Sequence, residues 1–123
     1  MAFPSISLKS TNIELTPDQR ALVDEKLSHL DKFLPEGETD VRCDVEVEKI
    51  AEHQSGKIYR VEVNLFIAGK LYRAEATEEQ VEKAIDVVRN EVKREVKRAH
   101  NKAQSLFRRG GQKIKEMLRF ERE

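Results

Sequence analysis

Residues 41–77, VRCDVEVEKIAEHQSGKIYRVEVNLFIAGKLYRAEAT, decide the fold. Two runs within them alternate. Val41, Cys43, Val45 and Val47 are apolar, with Arg42, Asp44, Glu46 and Glu48 charged between and after them. Tyr59, Val61, Val63, Leu65 and Ile67 are apolar, and Arg60, Glu62 and Asn64 are polar. A period of two marks a strand with one buried and one solvated face, because successive side chains point to opposite sides of the sheet. EHQSGK at 52–57 has the residues of a hairpin loop. Ala68-Gly69 is short enough for a second hairpin and leads into KLYRAEAT as a further strand.

Working outward from this block, Ile6 and Leu8 alternate with Ser5, Ser7 and Lys9, which predicts a short first strand ending at the Thr11-Asn12 turn. Residues 15–34, LTPDQRALVDEKLSHLDKFL, change period. Thr16 is a good N-cap, Pro17 suits the first helical position, and Gln19 completes a capping box. Val23, Leu27, Leu30 and Leu34, widened by Leu22 and Phe33, form the apolar stripe of one helix that Pro35 and Gly37 close. On the other side, Thr77 and Gln80 repeat the capping box, with Glu78 and Glu79 where a helix dipole favours acids. Val81, Ile85, Val88, Val92, Val96, Ala99, Ala103 and Leu106 then predict a helix of roughly thirty residues, about 45 Å long, ended by Gly110-Gly111.

The order β-α-β-β-β-α implies an α+β fold: a two-layer sandwich whose four-stranded, mostly antiparallel sheet carries both helices on one face. Residues 1–109 form this domain, and 110–123 a basic C-terminal tail, flexible or a short helix. The first and last strands are the expected parallel pair. The other face of the sheet is expected to be open and acidic, through Asp44, Glu46, Glu48 and Glu62.

Charge carries the functional signal. The chain holds 23 basic and 23 acidic residues, but residues 89–123 hold twelve basic against five acidic, and residues 1–56 six against twelve. At about 100° per residue, the seam through Val92 leaves Lys93, Arg94, Lys97, Arg98 and Lys102 on the outward face of the helix, with Arg89 and His100 flanking the seam. Arg108, Arg109, Lys113 and Lys115 extend the same charge into the tail. Lys93/Lys97 and Arg94/Arg98 are like-charged i,i+4 pairs, each costing a few tenths of a kcal/mol in an isolated helix. Repulsion stacked over several turns implies a polyanion outside that neutralises it. From Lys93 to Arg109 the span is about 24 Å, enough to meet several phosphates.

Other chemistries find less support. His29, His53 and His100 lie in separate elements without zinc-ligand spacing. Cys43 falls on an apolar strand face and reads as a small buried hydrophobe. Glu46, Glu48, Glu52 and His53 are explained by sheet solubility as well as by a metal site. Gly110-Gly111 follows no strand and precedes no P-loop Lys-Ser/Thr. No enzyme, cofactor, metal or small-molecule substrate is expected. A lone cysteine, no membrane-length apolar run and no signal-peptide pattern point to the cytoplasm. Two other readings stay open. Ile114, Met117 and Leu118 give the tail an apolar face with which a protein-interaction module would dock on a partner, and a generic double-stranded RNA-binding domain would carry similar charge.

Three strings resemble one known family, the ribosome hibernation-promoting factors and ribosome-associated inhibitors. IELTPDQRALVDEKLSHLDKFL is similar to its first helix, VEVNLFIAGKLYRAEAT to its third and fourth strands, and KAIDVVRNEVKREVKRAHNK to its basic second helix. In QVEKAID, Ala84, Ile85 and Asp86 match the family's opening of that helix, whereas Gln80, Glu82 and Lys83 depart from it. The resemblance implies a short form without the C-terminal dimerisation domain of longer members. It also implies binding to the small ribosomal subunit, to ribosomal RNA and nearby proteins, in the channel of mRNA and tRNA. Translation would be blocked and idle ribosomes protected in stress or stationary phase. Lys93, Arg94, Lys97, Arg98 and Lys102 carry the family's basic helix most directly. The tail is expected to be loose in solution and to order along the mRNA path.

Overall fold

A computed structural model of the chain describes residues 3–51 and 56–122, with side chains as far as residue 102. The elements are β1 (Ile6–Thr11), α1 (Pro17–Ser28), a 3-10 turn (His29–Phe33), β2 (Val41–Lys49), β3 (Tyr59–Ile67), β4 (Lys70–Glu78) and α2 (Val81–Arg122). The four strands form one sheet in the order β1-β2-β3-β4. Both helices cover one face, so the architecture is the α+β sandwich expected.

The parallel pair is β1 with β2, in the register Ile6↔Cys43 to Thr11↔Glu48, and not β1 with β4. The reason is geometric. α1 returns the chain over the sheet, so β2 starts again from the same end as β1 and lies down beside it. The two hairpins then add β3 and β4 antiparallel, Val45 facing Val63 and Val63 facing Ala74. β4 is left as a free edge.

In β2 and β3 the odd-numbered residues do point inward: Cys43, Val45, Val47, Val61, Val63 and Leu65 are buried, and the register brings the even-numbered Ile6, Leu8, Tyr72 and Ala74 of β1 and β4 to the same face. They pack against Val23, Leu27 and Leu30 below α1 and against Ile85, Val88, Val92 and Val96 of α2. Burial pushes the Cys43 thiol up to about 12, so it stays protonated and behaves as a small hydrophobe.

The first capping box forms as read. The Gln19 amide N–H donates to Thr16 Oγ1 at 3.1 Å, and the Thr16 amide donates to Gln19 Oε1 at 3.0 Å. Its helix is shorter than the apolar stripe. α1 stops at Ser28 and tightens into the 3-10 turn, after which Leu34 is extended (φ −73, ψ 146), as a residue before proline prefers. The second capping box does not form. Thr77 stays in β4 opposite Arg60, where the ladder holds it extended, and α2 begins at Val81 with the Ala84 amide bonded to the Gln80 carbonyl.

The Ala68-Gly69 turn has φ 50 at Ala68 and φ 82 at Gly69. Positive φ at both central positions is what a two-residue hairpin requires, and alanine fills the first at a steric cost.

At its far end α2 also departs from expectation. Its helical backbone passes Gly110-Gly111 and continues to Arg122, 42 residues in all. Each glycine weakens a helix by about 1 kcal/mol relative to alanine, but a glycine ends one only where the chain turns left-handed. The helix is therefore about 63 Å long, against about 30 Å for a nine-residue strand.

Candidate nucleic-acid interface

The rotation of α2 is set by its buried seam. With Val88 and Val92 fully enclosed against the sheet, residues on the opposite arc must face solvent. Arg94, Lys97, Arg98 and Lys102 are exposed there. Arg89 and Lys93 are half-buried, and Lys93 Nζ lies 5.8 Å from the centre of the Phe33 ring at the end of the 3-10 turn. The helix pair is further tied by Lys26 of α1 to Asp86 of α2 at 3.2 Å. Side chains of Arg108, Arg109, Lys113 and Lys115 lie outside the described residues.

The ridge remains electropositive. Among the described residues, Arg94, Lys97 and Lys102 have no carboxylate within ion-pair distance, and Arg98 meets Glu95 at 3.6 Å. Both members of that pair are more than half exposed (69% and 53%), so the contact is worth less than about 1 kcal/mol and leaves Arg98 available.

The opposite side of the molecule treats charge differently. On the open face of the sheet Arg60 is the central group, its side chain only 19% exposed. Its guanidinium meets Glu75 at 2.8 Å, Glu46 at 3.1 Å and Glu48 at 3.9 Å, and it also donates to Glu62. Arg73 reaches Glu62 at 3.0 Å and Glu75 at 3.4 Å, Lys9 reaches Glu46 at 3.6 Å, and Arg42 reaches Asp44 at 3.4 Å. The hydrogen bonds from Arg60 hold the Glu46 and Glu75 carboxyls below the usual range. The Asn64 amide, with Arg73 behind it, does the same for Glu62. The face expected to be acidic is thus internally compensated.

Between α2 and the free edge of β4 runs an open groove of about 640 Å³. Arg94, Arg98 and Lys102 line it from the helix, and Lys70 and Arg73 from the strand; Glu91 and Glu95 are the acids among its walls. Lys70 escapes a linear reading because it lies more than twenty residues before Arg94 and joins the helix cations only through the edge position of β4; Arg73 is engaged by Glu62 and Glu75. Among the described residues no three His, Cys, Asp or Glu are grouped to hold a metal ion. No helix among them is long and apolar enough to cross a membrane.

The profile of the Sigma 54 modulation protein / S30EA ribosomal protein family matches residues 6–104, from the first strand into the basic helix. The chain belongs to this family. Among its relatives, a ribosome hibernation promotion factor of Deinococcus radiodurans is 35% identical over 79 residues, 64% of this chain. The match covers 40% of that relative, so the chain corresponds to less than half of its length. The crystal structure of the N-terminal domain of Thermus thermophilus Protein Y superposes with a TM-score of 0.63 at 27% identity, over 75% of this chain and 93% of that one. A ribosomal subunit interface protein from Coxiella burnetii shares the fold, with a TM-score of 0.55 at 16% identity over 81% of this chain and 97% of that one. Within the S30EA family fold, this chain places its uncompensated cations, among the described residues, on α2 and at Lys70 of the adjoining strand edge.

Proposed function

We propose that the chain is a ribosome hibernation factor. It binds ribosomal RNA of the small subunit in the mRNA and tRNA channel through the outward face of α2, blocks translation and protects idle ribosomes. It acts in the cytoplasm as a binding protein, without catalysis. The observation that carries this reading is the row Arg94, Lys97, Arg98 and Lys102, exposed and largely unpaired on a rigid helix. Folded ribosomal RNA offers phosphates at spacings such a rod can follow, and backbone contacts of this kind recognise shape more than sequence. Family membership and the names of the relatives support the same target. Arg108, Arg109, Lys113 and Lys115 are proposed to continue the contact along the mRNA path.

Sedimentation of purified small subunits with the protein tests the proposal. Binding should weaken steeply with salt, each phosphate contact adding roughly 0.7–0.9 to the log–log slope. The variant with Lys93, Arg94, Lys97 and Arg98 all changed to Glu should stay in the supernatant. Its retention on the subunits would refute the assignment. Equal binding to any duplex RNA in competition would favour a generic double-stranded RNA binder instead.

A further inference from the structure

Among the described residues β4 pairs only with β3, so its outer row of backbone N–H and C=O groups has no strand beside it. It is the longer of the two sheet edges, nine residues against six in β1, and its register runs unbroken from Lys70 to Glu78. A long, regular edge is a template for another strand. The sequence of this one, KLYRAEATE, is its own complement in charge about Ala74. Lys70 stands as far before Ala74 as Glu78 stands after it, and Arg73 and Glu75 flank it directly. The pairing with β3 puts Leu71, Arg73, Glu75 and Thr77 on the open face of the sheet. Lys70, Tyr72, Ala76 and Glu78 fall on the helix side with Ala74. Leu71 is 48% exposed, one of two large apolar side chains so open among the described residues.

We infer that β4 pairs antiparallel with the β4 of a second copy of this chain, about a two-fold axis at Ala74, and joins two four-stranded sheets into one. In that register Lys70 opposes Glu78 of the second copy, Arg73 opposes Glu75, and Leu71 lies against Thr77. The axis repeats each pair, so no like charges meet. Opposite charges on neighbouring strands favour a pairing and like charges oppose it. Sliding the strands by two residues would set Arg73 against itself in one direction and Glu75 against itself in the other, which fixes the register. Charge on the larger scale agrees. Arg98 and Lys102 stand with Lys70 around the groove at one end of β4, and the exposed Glu79 and Glu82 follow Glu78 at the other. Antiparallel pairing sets the basic end of one copy beside the acidic end of the next, where Lys83 lies 3.6 Å from Glu78. Arg73 and Glu75 meet Glu62 and Arg60 within the chain, yet keep 55% and 43% of their side chains exposed. A two-fold contact of this kind closes on itself, whereas β4 against β1 would run on into a fibre. An extended segment of another protein also fits an open edge, but it gives no reason for a strand to complement itself.

Sedimentation equilibrium of the full chain, from micromolar to near-millimolar protein, measures this pairing without RNA. The parent should pass from monomer to dimer mass across that range. Arg73→Glu sets acid against acid in its own dimer, Glu75→Arg sets base against base, and thermal melting confirms that each folds. Each alone should weaken association at least about tenfold, and an equimolar mixture should recover it to within about threefold of the parent, because only the mixed dimer pairs opposite charges at both sites. A merely damaged fold gains nothing from mixing. Lys70→Glu, an exposed change that opposes Glu78, should weaken association in the same way and decides the matter if either swap fails to fold. A parent that stays monomeric overturns the inference and leaves the edge to an extended segment of another protein. A dimer indifferent to all three changes, or swaps that do not restore one another, overturns it as well. None of these outcomes bears on the RNA proposal, which the protein alone does not test.

Discussion

Two faces of this molecule carry dense charge and use it in opposite ways. On the open face of the sheet, each described cation sits within reach of a carboxylate, and Arg60 alone holds four. Along the outer arc of α2, three of four exposed cations have no carboxylate within reach among the described residues. The contrast separates charge that keeps a fold soluble and ordered from charge kept for something else. Composition alone, balanced at 23 against 23, conceals it.

The comparison can be broken most severely on the helix. Reversing Lys93, Arg94, Lys97 and Arg98 to Glu should remove sedimentation with small subunits altogether and change the melting temperature by only a few degrees, since none of them is buried in the core. The same scale of insult on the sheet should do the opposite. Arg60→Met leaves Glu46, Glu48, Glu62 and Glu75 facing one another, and urea unfolding should show a loss of about 2 kcal/mol with ribosome binding retained.

Acid offers a milder route to the same contrast. Glu46, Glu62 and Glu75 ionise more readily folded than unfolded. Their contribution is full above the ordinary glutamate value of about 4.3 and is lost as pH falls through the lowered folded values. Unfolding curves between pH 7 and pH 3 should therefore slope more steeply for the parent than for Arg60→Met. An identical slope would show that the network contributes nothing.

Two smaller changes sharpen the picture. Ala68→Gly relieves the left-handed residue in the hairpin and should raise stability by about 0.5–1 kcal/mol without moving RNA affinity, which separates stability from binding. Glu95→Gln removes the carboxylate that meets Arg98 and should tighten RNA binding less than about threefold, an effect that vanishes at high salt.

Much of the fold was legible in the residues themselves. Alternation in β2 and β3 marked the buried valines, the heptad-like steps from Val81 to Val96 marked the seam, and Thr16 with Gln19 marked a cap. These signals are local, and local geometry decides them. The misreadings came where distant parts compete. Thr77 has the chemistry of a cap, but its ladder with Arg60 holds it in the sheet. Gly110-Gly111 resembles a stop, yet a helix so long tolerates both. The site was legible only as far as it lay on one helix. Lys70 joins it through the edge position of β4, and Arg60 becomes a hub only once the register brings Glu46, Glu48, Glu62 and Glu75 around it. Register and strand order are properties of the assembled sheet, which no window of sequence contains.

Strand order in this sheet equals chain order. During synthesis, which emits roughly 5–20 residues per second, every strand after the first therefore emerges beside a neighbour already made. The sheet can zip shut from its N-terminal edge as it leaves the exit tunnel, and the cationic rod arrives last. A protein laid out in this way has all four strands made before its most RNA-adhesive part is free, a useful sequence of events for a chain born on the surface of a ribosome.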